Sequence, residues 1–258
     1  MVKSAERVCR TLKFIGPHKD GLKHAEVAKA LKIPTSSLSG LLSSLLGQQF
    51  LLFNSLTQRY LLGPQILSLA GSYLESFDLV EHSRPIVKKL VKDTGESVAV
   101  SIRCDDDILT VFKEDSEQLV KRTIQIGERR PMYATASGKA ILAFLPEQEI
   151  DVYFSSVNFV AITPKTIIDP NRLRRQLSEI RSTGIAYNRE EVSDQIIAVA
   201  APVFDLFGAV VASLVVSTPF TRFTANKQKR IKYCVKEASI NLSRRLGFSG
   251  QVSEQSTF

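Results

Sequence analysis

The 258-residue chain has no tryptophan, two methionines, three histidines and three cysteines. Each scarcity removes a class of function. Cys9, Cys104 and Cys234 are odd in number and far apart, which excludes a disulfide framework and a zinc pattern. They read as reduced thiols in a cytoplasmic protein. His18, His24 and His82 lie outside the strand-bearing part of the chain, and no H-x-x-x-H, C-x-x-C or E-x-x-H spacing occurs. That leaves no metal site and no local base for a serine nucleophile. The longest apolar runs, IIAVAAPVF (196–204) and AVVASLVV (209–216), fall well short of the ~20 residues a membrane helix needs and read as buried strands. The first residues, MVKSAERVCR, carry no apolar signal core. The expectation is a cytoplasmic protein with no catalysis, no cofactor, no metal and no membrane partner.

What is present is an ordinary globular balance, 44% hydrophobic and 23% charged, with an uneven surplus of positive charge. Of the net +8, most sits at the start: residues 1–63 hold nine Lys/Arg against three acids, and the remainder holds 25 against 23. A basic small domain joined to a near-neutral larger one points to a polyanion at the N-terminus; a solvated basic face is the plainer alternative.

Spacing adds to the charge. SAERVCRTLKFI (4–15) sets Val8, Leu12 and Ile15 at helical intervals, with Ser4 expected as N-cap. After GPHKDG, HAEVAKAL (24–31) reads as a short helix and KIP (32–34) as a tight turn. Thr35 is expected to cap SSLSGLLSSLL (36–46), whose leucines 38, 41, 42, 45 and 46 form one stripe. The opposite face holds Ser36, Ser37, Ser39, Gly40, Ser43 and Ser44. Two short helices across such a turn make a helix-turn-helix, and hydroxyls on the second contact phosphates or either kind of base edge. QQFLLF (48–53), NSLT and QRYLLG (58–63) read as the hairpin of a winged helix. A mid-helix glycine costs about 1 kcal/mol relative to alanine. Gly40 therefore either admits a close neighbour, DNA or helix, or is a tolerated imperfection.

Residues 64–79 are expected to form a linker helix, with Ile66, Leu67, Ala70, Tyr73, Leu74 and Phe77 on one stripe. Residues 79–94 form another helix, kinked or restarted at Pro85. An effector domain over 80–248 and a tail over 249–258 complete the division. SVAVSIR (97–103) and ILTVFKE (108–114) flank an acidic turn and predict a hairpin, and LVKRTIQI (119–126) a third strand. A helix over 170–182, strands over 185–191, 196–205 and 207–217, and a long helix over 224–246 give an α+β domain with an antiparallel sheet flanked by helices.

YATASGKAILAFLP (133–146) carries the one motif that imitates chemistry. A phosphate-binding loop needs G-x-x-x-x-G-K-[ST], but Tyr133 stands five before Gly138 and Ala140 follows Lys139. A nucleophile elbow needs G-x-S-x-G, but Thr135 and Lys139 flank Ser137. Small residues entering a helix serve instead as a pocket wall for an anion or carbonyl oxygen, or as a close helix–sheet contact. Glu190 and Glu191 are open to reading as structural ion pairs.

Four stretches in register resemble the IclR family of bacterial transcription regulators, over about residues 4–247: SAERVCRTLKFI, YATASGKAILAFLP, GIAYNREE and AAPVFDLFGAVVASLVVSTP. FDLFG and STPFTRF resemble its sugar-acid-responsive KdgR branch. The resemblance implies a winged helix, a linker helix and a GAF/PAS-like effector domain. It also implies dimers, often tetramers, on palindromic double-stranded operators, and small organic acids as effectors. Carried over residue by residue, the effector pocket is Ala136, Ser137, Asn188, Ala198, Val215 and Ser217. The family's acid is here Asn188, its cysteine Ala198 and one serine Val215, so the resemblance implies a larger or more apolar effector than a two-carbon acid. On the DNA side Thr35 and Gly40 replace the family's usual basic residues. Arg7, Lys32 and Arg59 are then expected to carry phosphate contacts beside Ser36, Ser37, Ser39 and Ser43. The rival expectation is an effector sensor that has lost specific DNA binding.

Overall fold

A computed structural model of the chain describes residues 3–75, 78–119, 121 and 124–250. They form two compact units, Met1–Ser76 and Phe77–Phe258.

The first unit opens with helices α1 (Lys3–Ile15), α2 (His24–Leu31) and α3 (Thr35–Gly47). Strands β1 (Leu51–Asn54) and β2 (Arg59–Leu62) follow, paired antiparallel from Leu51 opposite Leu62 to Asn54 opposite Arg59. The leucine stripe does what its spacing dictates: Leu38, Leu42 and Leu45 are buried with Ile15, Val27 and Leu51 in one core. Two capping expectations fail. Ser4 lies inside α1, and the N-cap of α3 is Pro34, with Thr35 its first helical residue. The wing begins later than expected because Gln49, at φ +57°, turns the chain out of α3 before β1 starts. Helix α4 (Pro64–Glu75) belongs to this unit. Its apolar stripe is not packed within the unit at Leu67, which is 76% exposed; Phe77 lies outside the described residues.

The second unit begins with α5 (Asp78–Thr94), one helix with Pro85 inside it and no restart there. Its sheet comprises β3 (Ser97–Cys104), β4 (Asp107–Glu114), β5 (Arg129–Pro131), β6 (Ala186–Arg189), β7 (Ile196–Phe204) and β8 (Val210–Pro219). The strand order is β5-β4-β3-β8-β7-β6, antiparallel throughout. The strand expected at 119–126 is absent at Leu119, Lys121 and 124–126, and residues 120, 122 and 123 lie outside the described residues. The edge beside β4 is taken by β5 instead. Alternation divides the sheet into two faces. Val98, Val100, Val199, Leu214 and Val216 point to the side covered by α5 and by α9 (Ala225–Arg245). Ala99, Ala200 and Val215 point to the side covered by α6 (Ala136–Leu142), with α7 (Glu147–Ser156) and α8 (Pro170–Thr183) beyond it. Asp169 caps α8 and Gly184, at φ +72°, ends it. Among the described residues, no helix is long and apolar enough to cross a membrane.

Candidate functional site

Small residues at 134–138 let α6 descend onto the sheet. A short 3-10 turn, Met132–Ala134, precedes it, and the Thr135 hydroxyl caps it by accepting the Gly138 amide at 2.9 Å. Gly138 sits against that turn so closely that a Cβ would lie 2.2 Å from Met132 Cα and 2.3 Å from its carbonyl oxygen. Lys139 is wholly buried. Its Nζ meets Glu191 Oε1 at 2.6 Å and Gln176 Oε1 at 3.0 Å. Burial holds the ammonium below the ordinary lysine range against the opposing pull of Glu191. The Gly-Lys pair is thus a packing and ion-pair device, and neither residue offers itself to a phosphate. Glu190 is paired as well, with Lys165, whose hydrogen bond holds its carboxyl below the usual range.

Between this helix start and the sheet lies a cavity with about 60 Å³ of free volume. All six carried-over positions, Ala136, Ser137, Asn188, Ala198, Val215 and Ser217, line it. They converge from α6, β6, β7 and β8 because the antiparallel register sets Ala198 opposite both Asn188 and Ser217. Asn188 is committed to its surroundings. Its Nδ2 donates to the Ala134 carbonyl at 2.5 Å and its Oδ1 accepts the Glu191 amide at 3.1 Å. An aspartate could not make the first bond, which ties β6 to the turn before α6. Sequence reasoning missed Glu128 and Arg130 in the wall, together with Ser101, Thr110 and Ile124. No local pattern marks the two charged residues; they arrive through the pairing of Ile108 with Arg130.

In the first unit, Thr35, Ser36, Ser37, Ser39, Gly40 and Ser43 are all exposed along α3. Arg7, Ser36, Ser37 and Gly40 share an open groove between α1 and α3. A Cβ on Gly40 would meet nothing within 4 Å, so no packing inside the chain requires glycine there. Lys32 is exposed and ends α2 at φ +53°. Arg59 stands apart: its Nη1 donates to the Gly21 carbonyl at 2.7 Å and lies 3.7 Å from Glu26. It braces the wing against the residues ahead of α2. His24, not foreseen, places Nε2 3.0 Å from the Ser39 hydroxyl.

A family model described as the C-terminal portion of the bacterial transcriptional regulator IclR matches residues 71–244. The HTH-type transcriptional regulator KipR of Bacillus subtilis is 27% identical over 232 residues, 90% of this chain and 92% of that protein. The HTH-type transcriptional repressor AllR of Klebsiella pneumoniae is 26% identical over 249 residues, 96% of this chain and 92% of that one. The crystal structure of IclR from Thermotoga maritima superposes with a TM-score of 0.79 at 28% identity, over 96% of this chain and all of that one (100%). A winged helix-turn-helix ahead of a six-stranded effector-type unit, and a family match across most of the second unit, lead to one conclusion: the chain belongs to the IclR family of bacterial transcriptional regulators and is not an enzyme.

Proposed function

We propose that the chain is an effector-controlled regulator of a catabolic operon. Its first unit binds a palindromic operator as part of a dimer or tetramer, and its second binds an aromatic, acyl or sugar acid in the cavity above the sheet. The observation that carries this reading is convergence: six positions from four separate elements meet in one cavity. The effector biases two arrangements of the assembled protein and so the spacing of its α3 helices, whichever sign of regulation follows. The domain division behind it is a reading head over 1–63, a linker helix over 64–79 and an effector domain over 80–248, with a tail over 249–258. Arg7, Lys32, Thr35, Ser36, Ser37, Ser39, Gly40 and Ser43 face the operator, with Arg59 supporting the wing. The cavity is lined by apolar as well as hydroxyl groups, which favours a body larger than two carbons. With about 60 Å³ free, its walls must part to admit one.

Fluorescence anisotropy tests the DNA half. DNA from upstream of the protein's own gene should bind more tightly than a scrambled duplex, with log affinity falling linearly against log salt. Equal weak binding to both would favour a second reading, an effector sensor without specific DNA binding. One observation supports that rival: α3 carries no charged residue at all. For the effector half, thermal shift across a panel of acids should show stabilisation by aromatic, acyl or sugar acids. Stabilisation by glyoxylate-sized acids alone would sink the size argument.

A further inference from the structure

We propose that Arg130 is the anchor for the effector's anionic group, and that Glu128 is a resident carboxylate that occupies this anchor until the effector displaces it. The inference rests on the reading of the cavity as an effector site and names the feature of the ligand that the site selects.

Adjacent residues of a strand point to opposite faces. Arg129 turns outward, to Asp105 at 3.1 Å, Asp107 at 3.2 Å and the Cys104 carbonyl at 2.9 Å. Arg130 therefore turns inward, and it lines the cavity beside its register partner Ile108. Among the described residues, Glu128 and Arg130 are the only charged groups in the lining; the other polar groups there are hydroxyls and the amide of Asn188, whose two ends are already engaged. Among the described residues, a charged ligand entering here finds one cation, and that cation is paired. Arg130 donates to Glu128 Oε1 from Nε at 2.6 Å and approaches it with Nη2 at 2.5 Å.

That arrangement suits exchange. A guanidinium presents a planar fork that fits an incoming carboxylate through two parallel bonds, whereas Glu128 offers it a single oxygen. Glu128 lies in the turn closed by its own amide on the Gln125 carbonyl, with Gly127 at φ +82°, outside any strand. Its side chain is 21% exposed, so it has a path back to water. Swapping one carboxylate for another keeps the half-buried arginine paired, and the departing side chain widens a cavity too small for the ligand as it stands. A neutral amide offers the fork one carbonyl oxygen and no countercharge, so it competes poorly with the Glu128 carboxylate. The ligand class is then an organic carboxylate whose apolar body faces Ile108, Ile124, Val192 and Val215.

Calorimetric titration of the full chain tests this with benzoate and pyruvate against benzamide and pyruvamide, on the parent, Arg130→Gln, Arg130→Lys and Glu128→Gln. The acids should bind the parent and the amides should not. Arg130→Gln should weaken the acids roughly ten- to hundredfold, the range of a lost charge-assisted hydrogen bond. Arg130→Lys should restore part of that, since charge remains and the fork does not. Glu128→Gln should tighten acid binding by about tenfold because the internal competitor is gone; that arm holds whether or not the arginine variants fold. Acids and amides binding alike, with Arg130→Gln indifferent, would overturn the anchor and leave the effector pocket standing. No heat from any probe on the parent or on Glu128→Gln would overturn both.

Discussion

Gly138→Ala should cost the second unit about 3 kcal/mol, the upper end of what overpacking usually costs. The added methyl would sit 2.2, 2.3 and 2.6 Å from the α-carbon, oxygen and carbonyl carbon of Met132. These are backbone atoms, so no side-chain rotation relieves the clash. Either α6 lifts from the 3-10 turn or the turn moves, and Ala136 and Ser137 leave the cavity wall with it. Denaturant melts of the full chain, followed by a probe in the second unit, measure the loss. Gly40→Ala is the control. With nothing within 4 Å of its new methyl, it should stabilise the first unit by about 0.5–1 kcal/mol, the entropy a helical glycine forfeits. Equal melting of the Gly138 variant and the parent would mean that the turn yields freely.

Breaking the Lys139–Glu191 pair should be at least as damaging. Glu191→Ala strands a fully buried ammonium, and Lys139→Met strands a carboxylate whose Oε2 already has no hydrogen-bond partner. Each should cost roughly 3–5 kcal/mol, whereas removing both charges together, as Lys139→Met with Glu191→Leu, should cost far less than the sum and could even stabilise. The sign of the pH effect gives a second check. In the fold the lysine lies below its ordinary 10.5, so the unfolded chain binds the extra proton between the two values. Stability therefore rises with pH across that window, and is fully regained only above 10.5. Without Glu191 the folded value drops further, so the rise should begin at lower pH in Glu191→Ala. A pH profile parallel to the parent's would show that the ammonium has escaped to water.

How much of this was legible depends on how local the cause was. The α3 leucines fixed their own burial by spacing, and the helix expected over 170–182 formed as α8, because helix signals lie within a few residues. Strand β5 was not legible: its three residues, Arg-Arg-Pro, carry no strand signal, while the described residues of LVKRTIQI stay out of the sheet. Edge pairing was decided by which segment could reach β4, a tertiary matter. Helix α7 went unseen because Ile150 and Tyr153 are its only buried residues, too few to set a period. The six cavity positions were found through a family resemblance, and their convergence needed the sheet order. The burial of Lys139 was not legible because its partner Glu191 lies 52 residues along the chain.

The strand order has a further consequence, in time. β3 lies beside β8, so the centre of the effector sheet joins residue 97 to residue 217. The winged helix closes its last pairing at Leu62. At roughly 5–20 residues per second of synthesis, about 8–30 s separate the emergence of Leu62 from that of Ser217, which closes the cavity. Local helices fold fast and such distant pairings slowly, which lengthens the gap. Each newborn molecule thus passes through an age at which its reading head exists and its sensor does not.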